Sequence, residues 1–568
     1  MLNPKIHKRS VVTLTVNDST KKLLRAIYRA QHSSGAAKGD QPRIKVSSVI
    51  SRMSFFYEKI RNAVDYKEEY LLRKEAIERI LRRQILIEST IAANDHEKIS
   101  QHLLAELIRG GYLPNNYLPT SLIDEVAVII RKYLVIKDIA VAQLDHQAEP
   151  TSLIKKDLVK FKEELSQRND LVAWLLAVAA SEIESRLGND QALNQAINNL
   201  YQYLLDNIEL ANHPELSADL PIQIYLSVNR NFAKLDNDML AFILFKYYLA
   251  NWQKLEASRW PAVAKKINEI RQAINQQLQH PLAPALDKLT RRYAVCTSVL
   301  LDVLQSDPVG IYTSIKTDPK AFPRQIKKVC EKNYAKAKNL LWRAAVRSII
   351  YIFLTKTILV IALEIPANKI FGASVSVMAL LINALFPAAL LFFSVLITKL
   401  PNESNTNKII SIVNELSFEE NRRETPIIVR LPQKKAGILT KFFNIIYALT
   451  FLVTFSAIVW LLHILHFTLI GIIIFLFFLV FVSFFIIRIK RVTNELKITE
   501  EKESLWRILF DIFTLPVMAV GKWLSEKFSK VNIFVFLLDF IIETPFKFFI
   551  DMAEDWTNYV KERKSQIN

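Results

Sequence analysis

Residues 442–487 read FFNIIYALTFLVTFSAIVWLLHILHFTLIGIIIFLFFLVFVSFFII, 46 residues in a row without a Lys, Arg, Asp or Glu. A straight helix of that length would measure about 70 Å, more than twice the roughly 30 Å hydrocarbon core of a bilayer. The segment must therefore fold back, and its polar residues His463, His466 and Thr468 mark the predicted turn. This stretch predicts two membrane-spanning helices joined as a hairpin.

A second apolar pair precedes it. Ser348–Ile365 reads SIIYIFLTKTILVIALEI and is predicted to stop at Pro366, where the missing backbone N–H interrupts a helix. After the five-residue turn PANKI, a second span is predicted over Phe371–Thr398. The expected fold class is all-α, with four transmembrane helices in two hairpins.

The composition agrees with a membrane protein and excludes several classes of enzyme. Of the 568 residues, 51% are hydrophobic and the mean hydropathy is +0.16. The 10 glycines form no G-x-G, which argues against a dinucleotide fingerprint, a P-loop and a nucleophile elbow. Two cysteines, Cys296 and Cys330, are too few for a disulfide scaffold or a structural zinc site. The sequence predicts no catalytic residues, metal or cofactor.

The formal net charge is +19, and a large share of the excess lies beside the first apolar segment. Residues 320–347 carry nine basic residues and one acid, a pattern that anionic headgroups of the cytoplasmic leaflet attract at about 1 kcal/mol per residue. Nucleic acid is the weaker interpretation of this excess. The predicted membrane-surface contacts in this segment are Lys327, Lys328, Lys332, Lys336, Lys338, Arg343 and Arg347.

The distribution of Lys and Arg also predicts the orientation, because cytoplasmic loops are enriched in both. The loop 399–441 holds eight basic residues, whereas the two opposite turns together hold one, Lys369. Both termini of this multi-pass protein are therefore expected in the cytoplasm.

The rest of the chain is predicted to be cytoplasmic or to lie on the membrane surface. Charges recur every four residues between Asp539 and Asp551, which indicates an amphipathic C-terminal tail in the bilayer interface, with Trp506 and Trp523 at that depth. Packing of this tail on the protein is the alternative.

Two short β-branched segments, Val11–Val16 and Thr425–Leu431, are predicted to pair with each other. The predicted organisation begins with a basic N-terminal segment at 1–44, which has one strand and one helix, and a cytoplasmic all-helical domain at 45–319. A basic juxtamembrane helix at 320–347 leads into hairpin 1 at 348–398. A cytoplasmic loop at 399–441, hairpin 2 at 442–489 and the amphipathic tail at 490–568 follow.

Two polar residues inside the predicted spans form the candidate intramembrane site, Lys356 and Asn383. An ionisable residue at mid-bilayer is a functional candidate by default. Glu364 is expected to be a poor partner for Lys356, because eight residues of straight helix place it about 80° round the axis. Lys356 is therefore expected to extend toward the cytoplasmic headgroups. Cys330, among basic neighbours, is a candidate reactive thiol.

Several stretches resemble one group of bacterial proteins. They are IYIFLTKTILVIALEIP from Ile350, INALFP from Ile382, IIVRLP from Ile427, FLLDFIIETPFKFF from Phe536 and AVDYKEEYLLRKEAIERIL from Ala63. The chain thereby resembles uncharacterised polytopic membrane proteins of candidate-phyla-radiation bacteria. This resemblance implies a bacterial cytoplasmic (inner) membrane, and no assigned activity comes with it.

Three functions are compatible with these patterns. The leading hypothesis is a non-enzymatic scaffold or regulatory protein that presents a helical domain to the cytoplasm. The first alternative is a subunit of an oligomeric transporter or channel, since four helices are few for a monomeric transporter. The second is an interfacial lipid-acting enzyme. The partners expected are the lipid bilayer with its anionic headgroups, further copies of the chain or other membrane proteins.

Overall fold

The structure is a computed structural model. It describes residues 15–33, 42–46, 54–55, 58–59, 68–86, 95–147, 155–188, 190–318, 320–370, 376–420, 423–431, 437–499, 512, 514–524, 552, 556, 559–560 and 563. Of the structure, 82% is helical and 2% is in strands, so the predicted all-α class is confirmed. Trp506, most of Val11–Val16 and the charged stripe of the tail lie outside the described residues.

The chain folds into two compact units. The N-terminal unit comprises residues 18–294, 424–431 and 539–568, and the C-terminal unit comprises residues 1–17, 295–423 and 432–538. In chain order, the elements of the N-terminal unit are α1 Asp18–Ser33, α2 Glu69–Leu86, α3 His96–Arg109, α4 Ser121–Gln147, α5 Lys155–Leu187, α6 Gln191–Asn207, β1 Ile208–Leu210, α7 Leu220–Asn231, α8 Asn237–Tyr248, α9 Trp260–Lys265, α10 Ile267–Leu278 and the first half of α11 Ala283–Ser306, with β2 Ile427–Val429. The further elements of the C-terminal unit are α12 Pro308–Thr317, α13 Ala321–Leu359, a π-helical segment Val360–Glu364, α14 Ile365–Ile370, α15 Val377–Leu396, α16 Glu403–Ser417, α17 Gly437–Ile464 and α18 Leu469–Asn494.

The N-terminal unit has its own hydrophobic core, built from apolar faces that recur at threes and fours along α2 to α10. Phe245 and Trp252 are fully buried at its centre and pack edge to face, with ring centroids 4.6 Å apart. Side-chain caps begin several of these helices, for example Asp190 at α6 and Asp236 at α8. This unit therefore has the continuous core of an independent domain.

The strand pairing differs from the prediction. Ile427–Val429 pairs in parallel with Ile208–Leu210, and residues 11–14 of the predicted partner Val11–Val16 lie outside the described residues. Val16 instead forms an antiparallel bridge with Phe418. Ile208–Leu210 directly follows α6, and three residues of this type are too few to give a strand pattern of their own.

The C-terminal unit contains four helices long and apolar enough to cross a membrane: Ala321–Ile370, Val377–Leu396, Lys441–Ile464 and Leu469–Arg491. Among the described residues a fifth span would arise only if Ala283–Ser306 and Pro308–Ile315 were taken together, and these meet at 104°. Many large side chains on the four helices are exposed, among them Tyr351, Leu449 and Trp460. Apolar surface of this extent requires lipid or another protein to cover it.

Of the two helix ends predicted from the sequence in this region, one is confirmed and the other is wrong. The break near His463–Thr468 is confirmed, since α17 ends at Ile464 and α18 begins at Leu469 with Thr468 as its cap. The predicted stop at Pro366 is wrong, because the helix continues to Ile370. A π-helical segment, Val360–Glu364, ends two residues before Pro366. Its wider turn changes the hydrogen-bond ladder where the proline lacks an N–H, so the helix passes through the proline.

Candidate intramembrane polar site

Four buried polar side chains lie in the first two apolar helices of the C-terminal unit, among the residues that the structure describes. They are Lys356 on α13, Glu364 in the π-helical segment, Asn368 on α14 and Asn383 on α15, each at most 2% exposed. We call these four residues the polar cluster. Buried ionisable groups within spanning helices are costly, and they mark functional positions more often than other buried residues do.

The ammonium of Lys356 is held inside the protein. Its Nζ donates a hydrogen bond to the carbonyl of Ile474 on α18, at 3.2 Å. The same Nζ lies 4.0 Å from the centroid of the Phe478 ring, a cation–π distance. The expectation that Lys356 extends to the headgroups is therefore not met, because α18 binds its ammonium inside the protein.

Glu364 is hydrogen-bonded to Asn383, the second predicted site residue. Asn383 Nδ2 donates a hydrogen bond of 2.6 Å to Glu364 Oε2. The charge of Glu364 also interacts favourably with that of Lys356, although Nζ is bonded to Ile474 instead of to the carboxylate. The two predicted residues, Lys356 and Asn383, are thus brought together through Glu364.

The π-helical segment explains why Glu364 faces the same side as Lys356. One π turn acts like a single residue inserted into an α-helix. Eight residues then cover the rotation of about seven, roughly 700°, which leaves only about 20° between Lys356 and Glu364. The angle of about 80° assumed a straight α-helix and is wrong for that reason, but Lys356 and Glu364 still form no direct ion pair, because Nζ bonds the Ile474 carbonyl and Glu364 bonds Asn383.

Gly471 brings the start of α18 close to Glu364. A Cβ at this position would lie 2.7 Å from Glu364 Oε1, closer than side-chain contacts allow. The N–H of Gly471 is bonded to the capping hydroxyl of Thr468 at 3.2 Å. A helix N-terminus carries a partial positive charge, so α18 stabilises the buried carboxylate.

The cluster contains polar atoms without partners. Among the described residues, both side-chain atoms of Asn368 and the Oδ1 of Asn383 make no hydrogen bond. An unsatisfied buried polar atom costs about 1–3 kcal/mol, and each one in a folded protein calls for an explanation. Two oxygens of this kind beside a carboxylate are the donor set that a small cation prefers.

A buried charged network in the N-terminal unit provides a contrast. Glu182 accepts hydrogen bonds from Lys132 at 2.8 Å, from Tyr133 at 2.8 Å and from Trp252 at 2.7 Å, so both carboxylate oxygens are used. Burial lowers the pKa of Lys132 and raises the pKa of Tyr133. A fully satisfied network of this kind fixes the packing of α4, α5 and the segment at Trp252, and it offers no atom to a ligand.

The other predicted residues are distributed as follows. The seven basic residues named for the membrane surface are all exposed along α13, and Lys327 also pairs with Glu403 at 3.1 Å. Trp523 is exposed, while Gly521 of the same helical segment lies against Val480 of α18. Cys330 is 1% exposed, so the hypothesis of a reactive surface thiol is wrong. Cys330 lies on the side of α13 that packs inside the protein, although its neighbours in sequence are basic.

Two members of the polar cluster are not predicted from the sequence, and neither is the close approach of Gly471. Glu364 is treated there as a poor partner of Lys356, and Asn368 is placed in the turn PANKI. The available signal was the pattern Glu364, Asn368 with four-residue spacing, which places both on one helical face. Among the described residues there is no group of three or more His, Cys, Asp or Glu that could hold a metal ion.

Comparison with known proteins gives no further guidance. No family model, curated protein or solved structure matches this chain.

Proposed function

We propose that this chain is a subunit of an ion-conducting or ion-transporting membrane assembly, in which the polar cluster binds a proton or small monovalent cation. The four apolar helices cross the bacterial cytoplasmic membrane as two hairpins, with both termini and the N-terminal unit in the cytoplasm. The excess of Lys and Arg in 320–347 and 399–441 supports this orientation.

One observation carries the proposal. A carboxylate and an ammonium are buried beside amide atoms that lack partners, in helices whose outer faces are apolar. A cluster that served only to fasten helices together would gain most by satisfying all its members, as the network at Glu182 does. The polar cluster instead keeps acceptor oxygens available.

In this proposal each charged residue of the polar cluster has a separate role. Glu364 and the amide oxygens of Asn368 and Asn383 bind the cation. Lys356 neutralises Glu364 while no cation is present, because its ammonium lies on the same face of the helix.

The assembly requires more than one chain. Four helices are few to enclose a path, and α17 is the least buried of the four, with 11% of its apolar window inside the protein. We propose that α17 contacts a second copy. The outward side chains on this helix include Ile445, Leu449, Leu452 and Trp460.

Reconstituted flux tests the proposal. Purified protein in liposomes is given a gradient of H⁺, Na⁺ or K⁺ in turn, and internal dyes report the rate. The wild type is expected to pass at least one of these ions faster than protein-free liposomes, and both Glu364→Gln and Asn383→Leu are expected to lower that rate at least tenfold. The lipid-facing Ile473→Ala serves as the matched control. Absence of flux for all three ions, or flux unchanged in both variants, would contradict the proposal.

A second candidate is the scaffold or regulatory role, which the separate core of the N-terminal unit favours. In that case the N-terminal unit is a docking domain and the apolar helices are its anchor. Truncation of the helices would then leave partner binding intact, and the flux experiment would be negative.

A further inference from the structure

A groove on the N-terminal unit has a lining that is entirely polar except for one alanine. It lies between α1 and α6 and has a volume of about 420 Å³. Its lining residues are Lys22, Arg25, Ala26 and Arg29 from α1, with Gln191, Asn194, Gln195 and Asn198 from α6.

The amphipathic pattern of α1 places these cations together. Lys22, Arg25 and Arg29 follow the spacing i, i+3, i+7, which is one face of an α-helix. Leu23 and Ile27 are buried on a neighbouring face, at 0% and 1% exposure, and hold α1 in the unit. The basic face is therefore fixed at the edge of α6 by the packing of the apolar one.

The charge of the groove is of one sign. No acidic residue lines it, and the three basic residues make no ion pair within the described part of the chain. Asp18 interacts electrostatically with Lys22 and Arg25, and its carboxylate already pairs with Lys21 at 3.1 Å. Asn and Gln side chains on the facing helix add neutral hydrogen-bond donors.

We infer that this groove binds a phosphate group of a small ligand, either a soluble phosphate ester or polyphosphate or the headgroup of an anionic lipid. Arginine forks and lysine recognise phosphate oxygens by charge-assisted hydrogen bonds, and amide N–H groups complete the shell. The volume is at the lower end of the range for small-ligand sites, which suits one phosphate group with a small substituent. This site is separate from the polar cluster and does not depend on the proposed ion path.

The experiment titrates the full-length protein in neutral-lipid nanodiscs with inorganic tripolyphosphate and, separately, with a water-soluble short-chain phosphatidic acid, by calorimetry. We expect saturable binding of at least one probe, weakened by added salt, and at least a tenfold loss of affinity in Arg25→Gln/Arg29→Gln. The matched control is Arg259→Gln, which removes an exposed arginine of the same unit outside the groove.

The two arms distinguish the sources of the phosphate. Binding of tripolyphosphate alone identifies a soluble ligand, and binding of the short-chain lipid alone identifies a headgroup. No binding of either probe at millimolar concentration, or equal binding by wild type and the double variant, would overturn the inference. Circular dichroism and thermal melting check that the double variant is folded, as expected for two exposed arginines.

Discussion

Lys356 and Glu364 are the residues on which the account of the membrane helices depends. Each charge is buried, and each is compensated by the other and by fixed dipoles. Removal of one partner from a buried pair is strongly destabilising, by about 3–5 kcal/mol, because the remaining charge is left alone.

A double-substitution cycle measures this coupling. Lys356→Leu and Glu364→Gln are each expected to lower the free energy of unfolding in mixed micelles, by about 3 kcal/mol. The combined variant should cost less than the sum of the two by at least about 1 kcal/mol, because no uncompensated charge remains. Lys369→Leu, an exposed lysine near the end of the same helix, is the control. A Lys356→Leu protein with unchanged or raised stability would mean that Lys356 only extends to the headgroups.

At this scale the sequence predicted part of the site. Lys356 and Asn383 are polar residues within apolar segments, so the local composition identifies them. Glu364 did not, because the phase of a residue along a helix depends on every turn before it. A single π turn changes the angle between Lys356 and Glu364, and no local sequence pattern indicates such a turn.

The π-helical segment is the element that aligns the cluster. An extra residue inserted into it would rotate Glu364 by about 100° relative to Lys356. We expect a leucine inserted after Ile361 to destabilise the protein by about 3 kcal/mol, as much as loss of one member of the pair. The same leucine inserted after Ile370, beyond the cluster, is the control and should be close to neutral. Equal effects of both insertions in thermal unfolding would show that the segment does not set this alignment.

The strands show the limit of element prediction. Thr425–Leu431 was correctly identified as a β-branched segment, and Ile427–Val429 is a strand. Its partner Ile208–Leu210 could not be found, since it directly follows a helix and pairs across more than 200 residues of sequence. Strand pairing depends on long-range packing, whereas helix periodicity is local, and this is why the helices were predicted better.

On the scale of the whole molecule, orientation follows from charge. The basic residues of 320–347 and 399–441 predict that position 420 and the C-terminus face the cytoplasm. Green fluorescent protein fused at either point should fluoresce, and alkaline phosphatase fused there should be inactive. A phosphatase fusion inserted at Lys369, near the opposite end of the first spanning helix, is the positive control. Phosphatase activity at 420 or 568 would overturn the hairpin arrangement.

The central claim is that the polar cluster is reached by water and ions in an otherwise apolar bundle. Cysteine accessibility tests it most directly, in a background with Cys296 and Cys330 replaced by alanine. A small methanethiosulfonate reagent, which reacts with thiolates in water, is added to the protein in liposomes. Asn383→Cys is expected to react, and a permeant cation should slow the reaction. Leu385→Cys, exposed on the outer face of the same helix, should not react. An unreactive Asn383→Cys in a folded protein, or equal reaction of both cysteines, would contradict the account.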